Sequence, residues 1–241
     1  MIFFLLLLAG VLVAGDVSAQ SLNIDFGEGQ GSTARLIQMF LLVTIISLAP
    51  SILVMITSFT RFVVVLSFLR TAMGVQQVPP NSVLISLALF LTLFVMQPVF
   101  DKAWENGLKP MIDEKISEED GLMRAVEPFR EFMLKHTRPK DLELFMELGK
   151  IEPPATALET PLKALIPAFM ISELRRAFEI GFLLFLPFLI IDMVVSSILM
   201  SMGMMMLPPP TISLPFKIIF FVLVDGWHLI VGSLVKSYGL S

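Results

Sequence analysis

The sequence predicts an all-α integral membrane protein, in which long, kinked apolar helices form hairpins on either side of a charged helical insert. Of its 241 residues, 56% are hydrophobic and only 16% are charged. The mean hydropathy of +0.84 is far above that of a soluble globular domain. The charges are also concentrated, because residues 101–163 hold ten of the seventeen Lys and Arg and fourteen of the twenty-one Asp and Glu. That segment is expected to lie in water and the flanking segments in an apolar environment.

Composition excludes several classes of function. A net charge of -4 gives no basic face for nucleic acid. The absence of cysteine removes disulfides, thiol catalysis and Cys-ligated metals. His136 and His228 are far apart and in no HExxH pattern, so we interpret each as a helix-surface or interface residue rather than a metal ligand. No GxSxG, HExxH or paired-Asp motif is present, so we expect neither an enzyme nor a bound metal or cofactor.

The N-terminal residues 1–19 are predicted to be a signal peptide. An apolar run is followed by Val17-Ser18-Ala19, which fits a small-x-small cleavage site ending at Ala19. No Lys or Arg precedes the apolar run, so an uncleaved anchor is the alternative. Residues 20–35 contain three glycines and are predicted to form a flexible tail on the outer face.

Residues 36–100 are predicted to form a first apolar helical hairpin. Its first apolar segment, residues 36–69, is too long for one membrane span of about 20 residues but too short for two. Proline removes a helix hydrogen bond, so Pro50 predicts a bend or break near residues 49–50, with helix continuing to Arg70. Residues 71–81, which contain Gly74 and two prolines, are predicted to be a turn. Arg61 and Arg70 lie close to this turn, so the positive-inside rule places the turn on the cytoplasmic side and the charged insert outside.

Residues 101–164 are predicted to form a periplasmic insert of small amphipathic helices. Apolar residues recur at helical spacing in two groups, Leu122, Val126, Phe129 and Met133, then Leu142, Phe145 and Met146. Pro128 suggests the start of a separate helix, and Arg138-Pro139 suggests another.

Residues 165–241 are predicted to form a second apolar hairpin, with segments at 165–171, 180–207 and 211–235. Charged residues in or against apolar runs normally face a bundle interior, a partner or water, because charge at bilayer depth is costly. We therefore predict interface or lumen positions for Arg61, Arg70, Glu173, Arg175, Arg176, Glu179, Asp192, Lys217 and Asp225. The alternative is pairing within one chain, for example Glu173 with Arg176 or Arg176 with Glu179.

The loop at 201–210 has an unusual composition, with methionines followed by three prolines. Methionine is unbranched and flexible, so a methionine cluster forms a deformable apolar surface. Gly203 loosens the backbone, and prolines cannot continue a helix by donating hydrogen bonds. Composition alone leaves open whether these methionines are membrane-core filler or a functional surface.

Many short motifs occur in order along the chain. They are SFTRF at 58–62, LRTAMG at 69–74, PPN at 79–81, PAF at 167–169, SEL at 172–174, FEIGF at 178–182, PFL at 187–189, MMM at 204–206, LPFK at 214–217 and DGW at 225–227. Together they resemble the FliP family, membrane subunits of the flagellar type III export gate. The resemblance runs from about residue 36 to the C-terminus.

The resemblance implies a protein-conducting channel subunit that assembles as a pentamer with FliQ and FliR into a helical cone. The cone would sit at the inner (cytoplasmic) membrane of the flagellar basal body, largely on its periplasmic side. FlhA, FlhB and a cytoplasmic ATPase complex would supply unfolded flagellar proteins and energy. The pore gasket would be Met204, Met205 and Met206, framed by Gly203, Pro208, Pro209 and Pro210.

Three other functions stay open at this point. The homologous subunit of a virulence-type injectisome is the nearest, followed by a stand-alone membrane transporter and by a pure assembly scaffold. Asp192 and Lys217 lie on the segments either side of the methionine loop, so each could pair across subunits or with FliQ. Rescue of two single mutants by the swap Asp192→Lys with Lys217→Asp is the test that the sequence suggests for a direct pair.

Overall fold

The computed structural model describes residues 32–75, 77–152, 154–204 and 206–239, and all regular secondary structure in these ranges is helical. The prediction of an all-α protein is thereby confirmed. The chain divides into two compact units, Met1–Leu48 and Ala49–Ser241. The predicted signal peptide with its cleavage at Ala19, and most of the predicted tail, lie outside the described residues. The helices that position the candidate site all belong to the second unit.

Helix α1 (Ser32–Ile56) and helix α2 (Phe59–Met73) are separated at residues 57 and 58. The bend or break predicted near residues 49–50 is not a break, because α1 continues through them, and a bend there stays a prediction. At the observed break, the Thr57 hydroxyl donates to the Leu53 carbonyl at 2.8 Å and lies 3.5 Å from the Phe59 nitrogen. Such local side-chain bonds compete with the helix ladder and favour an interruption.

Helix α2 forms the centre of the second unit. Phe62, Val65, Leu66 and Leu69 have no exposed surface and belong to the main apolar core. The helix ends at Gly74, whose φ of +78° is the left-handed conformation that terminates helices.

Helix α3 (Asn81–Ala103) packs on α2 and continues through a π-helical turn (Trp104–Leu108) into the short α4 (Lys109–Ile112). The insert then forms α5 (Glu118–His136) and α6 (Pro139–Leu148). Ser117 caps α5 by accepting from the Asp120 nitrogen at 3.1 Å. The prediction that Pro128 starts a separate helix is wrong. Pro128 is buried inside α5, whose start is fixed by the cap at Ser117 and by the acidic residues of its first turn.

Helix α7 (Leu162–Ser201) is a single helix of 40 residues. It joins the apolar segments at 165–171 and 180–207, which the sequence predicted to be separate. The helix can continue because the charged residues between these segments are paired or lie on its surface. Helices α8 (Pro209–Leu223) and α9 (Gly226–Lys236) meet at a bend of 63°. The sequence predicted one segment here. Asp225 takes a left-handed φ of +50°, and a Cβ on Gly226 would come within 2.2 Å of the Phe221 ring.

Two of the described helical stretches are long and apolar enough to cross a membrane, namely Asn81–Ile112 and Leu162–Ser201. The bent pair α8 and α9 adds a third if it counts as one span. These lengths agree with an integral membrane protein. The domain boundaries at 36–100, 101–164 and 165–241 remain predictions, and the helix that starts at Asn81 runs across the first of them.

Candidate functional site

The methionine loop begins where α7 ends in a Schellman motif. The Met204 nitrogen donates to the Leu199 carbonyl at 3.0 Å, and the Gly203 nitrogen to the Met200 carbonyl at 3.1 Å. Gly203 has a φ of +74°, which costs glycine little and other residues more. Gly203 therefore sets the direction in which the chain leaves α7.

The side chains at the tip of this loop face outward. Met206 is 98% exposed and Met204 is 43% exposed, although both are apolar. Met205, the third predicted gasket residue, lies outside the described residues. An apolar tip of this kind is expected to be covered by lipid, a partner or other copies of the loop.

The prolines form the other side of the loop and start α8. Pro208 precedes the helix in an extended conformation, and Pro209 and Pro210 occupy its first turn. Proline is well suited to these positions, because the first helical residues have no partner for a backbone N–H. The Thr211 nitrogen donates to the Pro208 carbonyl at 3.1 Å and closes the turn.

A polar cluster joins α7 to α8 beneath this loop. The Lys217 Nζ donates to Asp192 Oδ2 at 2.6 Å, and the Ser213 Oγ donates to Asp192 Oδ1 at 2.5 Å. The Lys217 side chain is 6% exposed and that of Asp192 is 29% exposed. Asp192 and Lys217 were predicted at an interface or lumen, and the structure pairs the two side chains within one chain.

Lys217 also fixes this cluster to α2. Its Nζ donates to the Ala72 carbonyl at 3.2 Å, in the last turn of α2. A cation is stabilised there, because the C-terminal carbonyls carry partial negative charge. One ammonium group thus connects three helices. Sequence reasoning missed Ser213, although it lies one helical turn before Lys217 on the same face.

Arg70 holds the turn that follows α2. Its Nη1 donates to the Asn81 Oδ1 and lies 3.5 Å from the Pro79 carbonyl oxygen. Arg70, which is partly buried, thereby connects the last turn of α2 to the first residue of α3.

Arg61 and Glu173 form a buried ion pair between α2 and α7, and neither side chain has exposed surface. Arg61 Nε donates to Glu173 Oε2 at 2.8 Å, and Nη2 donates to Oε1. The prediction of interface or lumen positions for these two is wrong, because both lie inside one chain. The proposed Glu173–Arg176 pair is also wrong, since Glu173 is bound to Arg61.

The remaining predicted charges lie on the surface. Arg175 and Glu179 pair at 2.9 Å, one turn apart on α7. Arg176 is exposed and pairs with neither Glu173 nor Glu179 among the described contacts. Asp225 is exposed at the α8–α9 bend. These four remain predicted interface or lumen charges.

The insert is joined to α7 by a second polar cluster, which sequence reasoning missed. The Ser172 Oγ donates to Asp141 Oδ2 at 2.6 Å, and the Arg138 guanidinium binds both carboxylate oxygens of Asp141. The hydrogen bond from Arg138 lowers the pKa of Asp141, as does the Ser172 hydroxyl. The signal in the sequence is the Arg138-x-x-Asp141 spacing at a helix start.

Neither histidine is part of a metal site in the part of the chain that the structure describes, where no three His, Asp or Glu side chains come together as ligands. His136 packs between the rings of Phe132 and Tyr238, with centroids at 4.8 and 4.9 Å. Burial lowers its pKa to about 4, helped by the charges of Arg61 and Lys135. His228 is exposed on α9.

The chain was compared with known proteins. The model of the FliP family matches residues 42–234. The flagellar biosynthetic protein FliP of Caulobacter vibrioides is 58% identical over 95% of this chain and 86% of its own length. The proteins of the same name from Rhizobium meliloti and Bacillus subtilis are 50% and 54% identical, over 98% and 90% of this chain and 98% of each relative.

Proposed function

This chain belongs to the FliP family, and on that premise we propose that it is a core channel subunit of the flagellar type III protein export gate. In this role it conducts unfolded flagellar proteins across the cytoplasmic membrane. It acts as a structural, non-enzymatic component. The names of the relatives favour the flagellar branch over an injectisome subunit.

The observation that supports a gate most directly is the exposed methionine tip on a fixed base. Met204 and Met206 project from a loop whose two ends are set by a Schellman motif and by prolines. Flexible thioether side chains can fill a bore closely, yet move aside for a chain of any sequence. Rigid apolar side chains would fit fewer substrates, and charged ones would leave a hydrated path for ions.

The assembly proposed for this chain is a pentamer with FliQ and FliR, served by FlhA and FlhB. Five copies would each contribute Met204, Met205 and Met206 to one ring, framed by Gly203 and the three prolines. The proposed location is the inner membrane at the basal body, with the insert on the periplasmic side. The exposed apolar surfaces of α3, α7 and α8 would then be covered by lipid or by neighbouring subunits.

The experiment is a leak measurement on the assembled gate. Replacement of Met204, Met205 and Met206 by Ala should leave assembly intact and raise ion conductance through the membrane, because the shorter side chains no longer fill the bore. Conductance is measured in cells or in liposomes that contain the purified complex, and assembly by native gel mobility.

A matched control removes thioether side chains outside the methionine loop. Met193 and Met200 are also exposed methionines, but they lie on α7 outside the loop. The double variant Met193→Ala/Met200→Ala should conduct like the parent, whereas Met204→Ala/Met206→Ala should leak. Equal conductance of the two doubles, or an unchanged triple variant that still assembles, contradicts the gasket.

A further inference from the structure

We propose that Ser237 and Tyr238 act as a clasp, which holds α9 against the core by closing over the Arg61–Glu173 ion pair, and that α9 can open about the bend at Asp225. This conformational device is separate from the gasket, because it involves neither the methionine loop nor the polar cluster beneath it.

The clasp completes the hydrogen bonding of the buried charges. Arg61 Nη1 donates to the Ser237 Oγ at 2.8 Å, and the Tyr238 hydroxyl donates to Glu173 Oε2. The Tyr238 ring covers the guanidinium, with its centroid 3.7 Å from the Arg61 Cζ. A buried ion pair is stable only when its remaining donors and acceptors are satisfied. Loss of the clasp would therefore leave both charges partly unsatisfied.

The phenol is suited to this role. Tyr238 is the only tyrosine in the chain and is almost fully buried. Its ring also stacks on Phe132 at 5.9 Å and packs against Phe62 at 5.7 Å, so it contacts both α5 and α2. Burial raises the pKa of the hydroxyl, which keeps it protonated as a donor.

Helix α9 contacts the core through four apolar side chains. Ile230 and Leu234 are buried, and Val231 and Val235 are partly buried against the core. Trp227, His228 and Leu229 are exposed. Asp225, at the bend that joins it to α8, has a left-handed φ of +50°, a conformation that Asp adopts more readily than most other non-glycine residues. A short helix with two buried and two partly buried apolar side chains, a sharp bend at one end and a polar contact at the other has the features of an element that opens locally.

The test uses the absence of cysteine in the natural sequence. Single-cysteine variants report the opening of α9 by their rate of maleimide labelling in the membrane-embedded chain. Leu234→Cys replaces a buried side chain of α9, Ser233→Cys replaces its exposed neighbour on the same helix, and Leu69→Cys replaces a buried side chain of α2. With the clasp intact, position 234 should label at least about tenfold more slowly than position 233.

Opening the clasp should remove this difference. In a Tyr238→Ala background, position 234 should label at a rate similar to that of position 233, while position 69 stays protected. Tyr238→Phe, which removes only the hydroxyl and keeps the ring, should raise the rate at 234 by a smaller factor. Ser237→Ala should act in the same direction.

Two results would overturn the proposal. In the first, position 234 stays as protected in Tyr238→Ala as in the parent, which means that Tyr238 does not hold α9. In the second, positions 234 and 69 become reactive together in Tyr238→Phe and Ser237→Ala as well as in Tyr238→Ala. In that case the whole core unfolds, and α9 is not a separable element.

Discussion

Removing either member of the Asp192–Lys217 pair should lower the free energy of unfolding, but by different amounts. Asp192→Leu leaves the Lys217 ammonium, which is 6% exposed, with the Ala72 carbonyl as its one remaining partner among the described residues. Removing one member of a buried pair costs about 3–5 kcal/mol of unfolding free energy. Lys217→Met instead leaves the Asp192 carboxylate, which is 29% exposed and keeps its bond from Ser213. That carboxylate can be hydrated, so the expected cost is about 1–2 kcal/mol.

The double variant separates the charge from the packing. Asp192→Leu/Lys217→Met removes both charges and should be more stable than Asp192→Leu alone, because no unpaired buried ammonium is left. The stability is measured by denaturant titration in mixed detergent micelles, with swimming motility as the functional readout. Additive costs in the double variant, or a larger cost for Lys217→Met than for Asp192→Leu, would refute the assignment.

The contact with Ala72 also changes what a charge swap can show. In Asp192→Lys/Lys217→Asp, the new carboxylate would face the Ala72 carbonyl and the negative end of α2. Two acceptors cannot share a hydrogen bond, so the swap should restore stability only in part. Complete recovery would mean that the contact between Lys217 and α2 contributes nothing.

Three further predictions concern stability. Gly203→Ala should cost about 1 kcal/mol through its positive φ, since no described residue lies within 4 Å of the added Cβ. Gly232→Ala, equally unobstructed by described residues but at negative φ, should not destabilise. Gly107→Ala should cost at least about 2 kcal/mol, because its Cβ would lie 2.5 Å from the Ala125 nitrogen. Denaturant titration measures all three variants. For His136, the folded-state pKa of about 4 lies below the ordinary 6.5, so stability is full above pH 6.5 and falls between 6.5 and 4, by about 1–2 kcal/mol after allowance for solvent.

Each of these predictions has an outcome that would contradict it. Equal free energies of unfolding for the variants at 203 and 232 would remove the argument from backbone strain. A variant at 107 as stable as its parent would show that the π-helical turn can move away from α5. A His136→Gln variant should lack the loss of stability between pH 6.5 and 4, and an unchanged pH profile would assign that loss to other groups.

Sequence reasoning predicted the class of the fold well and the partners of its charges poorly. Apolar periodicity predicts each helix from its own residues, which is why α5 and α6 lie where the spacing of their apolar residues placed them. The partner of Glu173 lies 112 residues away, and no local pattern connects the two. Local proximity favoured Arg176 instead. The break at residue 57 was missed for a related reason, because proline is a stronger signal in sequence than a threonine that bonds its own helix.

The candidate site has two parts, a fixed base formed by Asp192, Ser213 and Lys217 with the two ends of the loop, and a deformable tip formed by the methionine side chains. The gate proposal predicts different effects for variants in the two parts. The base is fixed because Lys217 bonds to both α7 and α2, and because the Schellman hydrogen bonds at Gly203 and the prolines hold the backbone next to it. The tip is soft because Met206 contacts little of its own chain. Tip variants should therefore leak without loss of stability, since they remove few contacts within the subunit. Base variants should lose stability first and leak only as the loop is displaced.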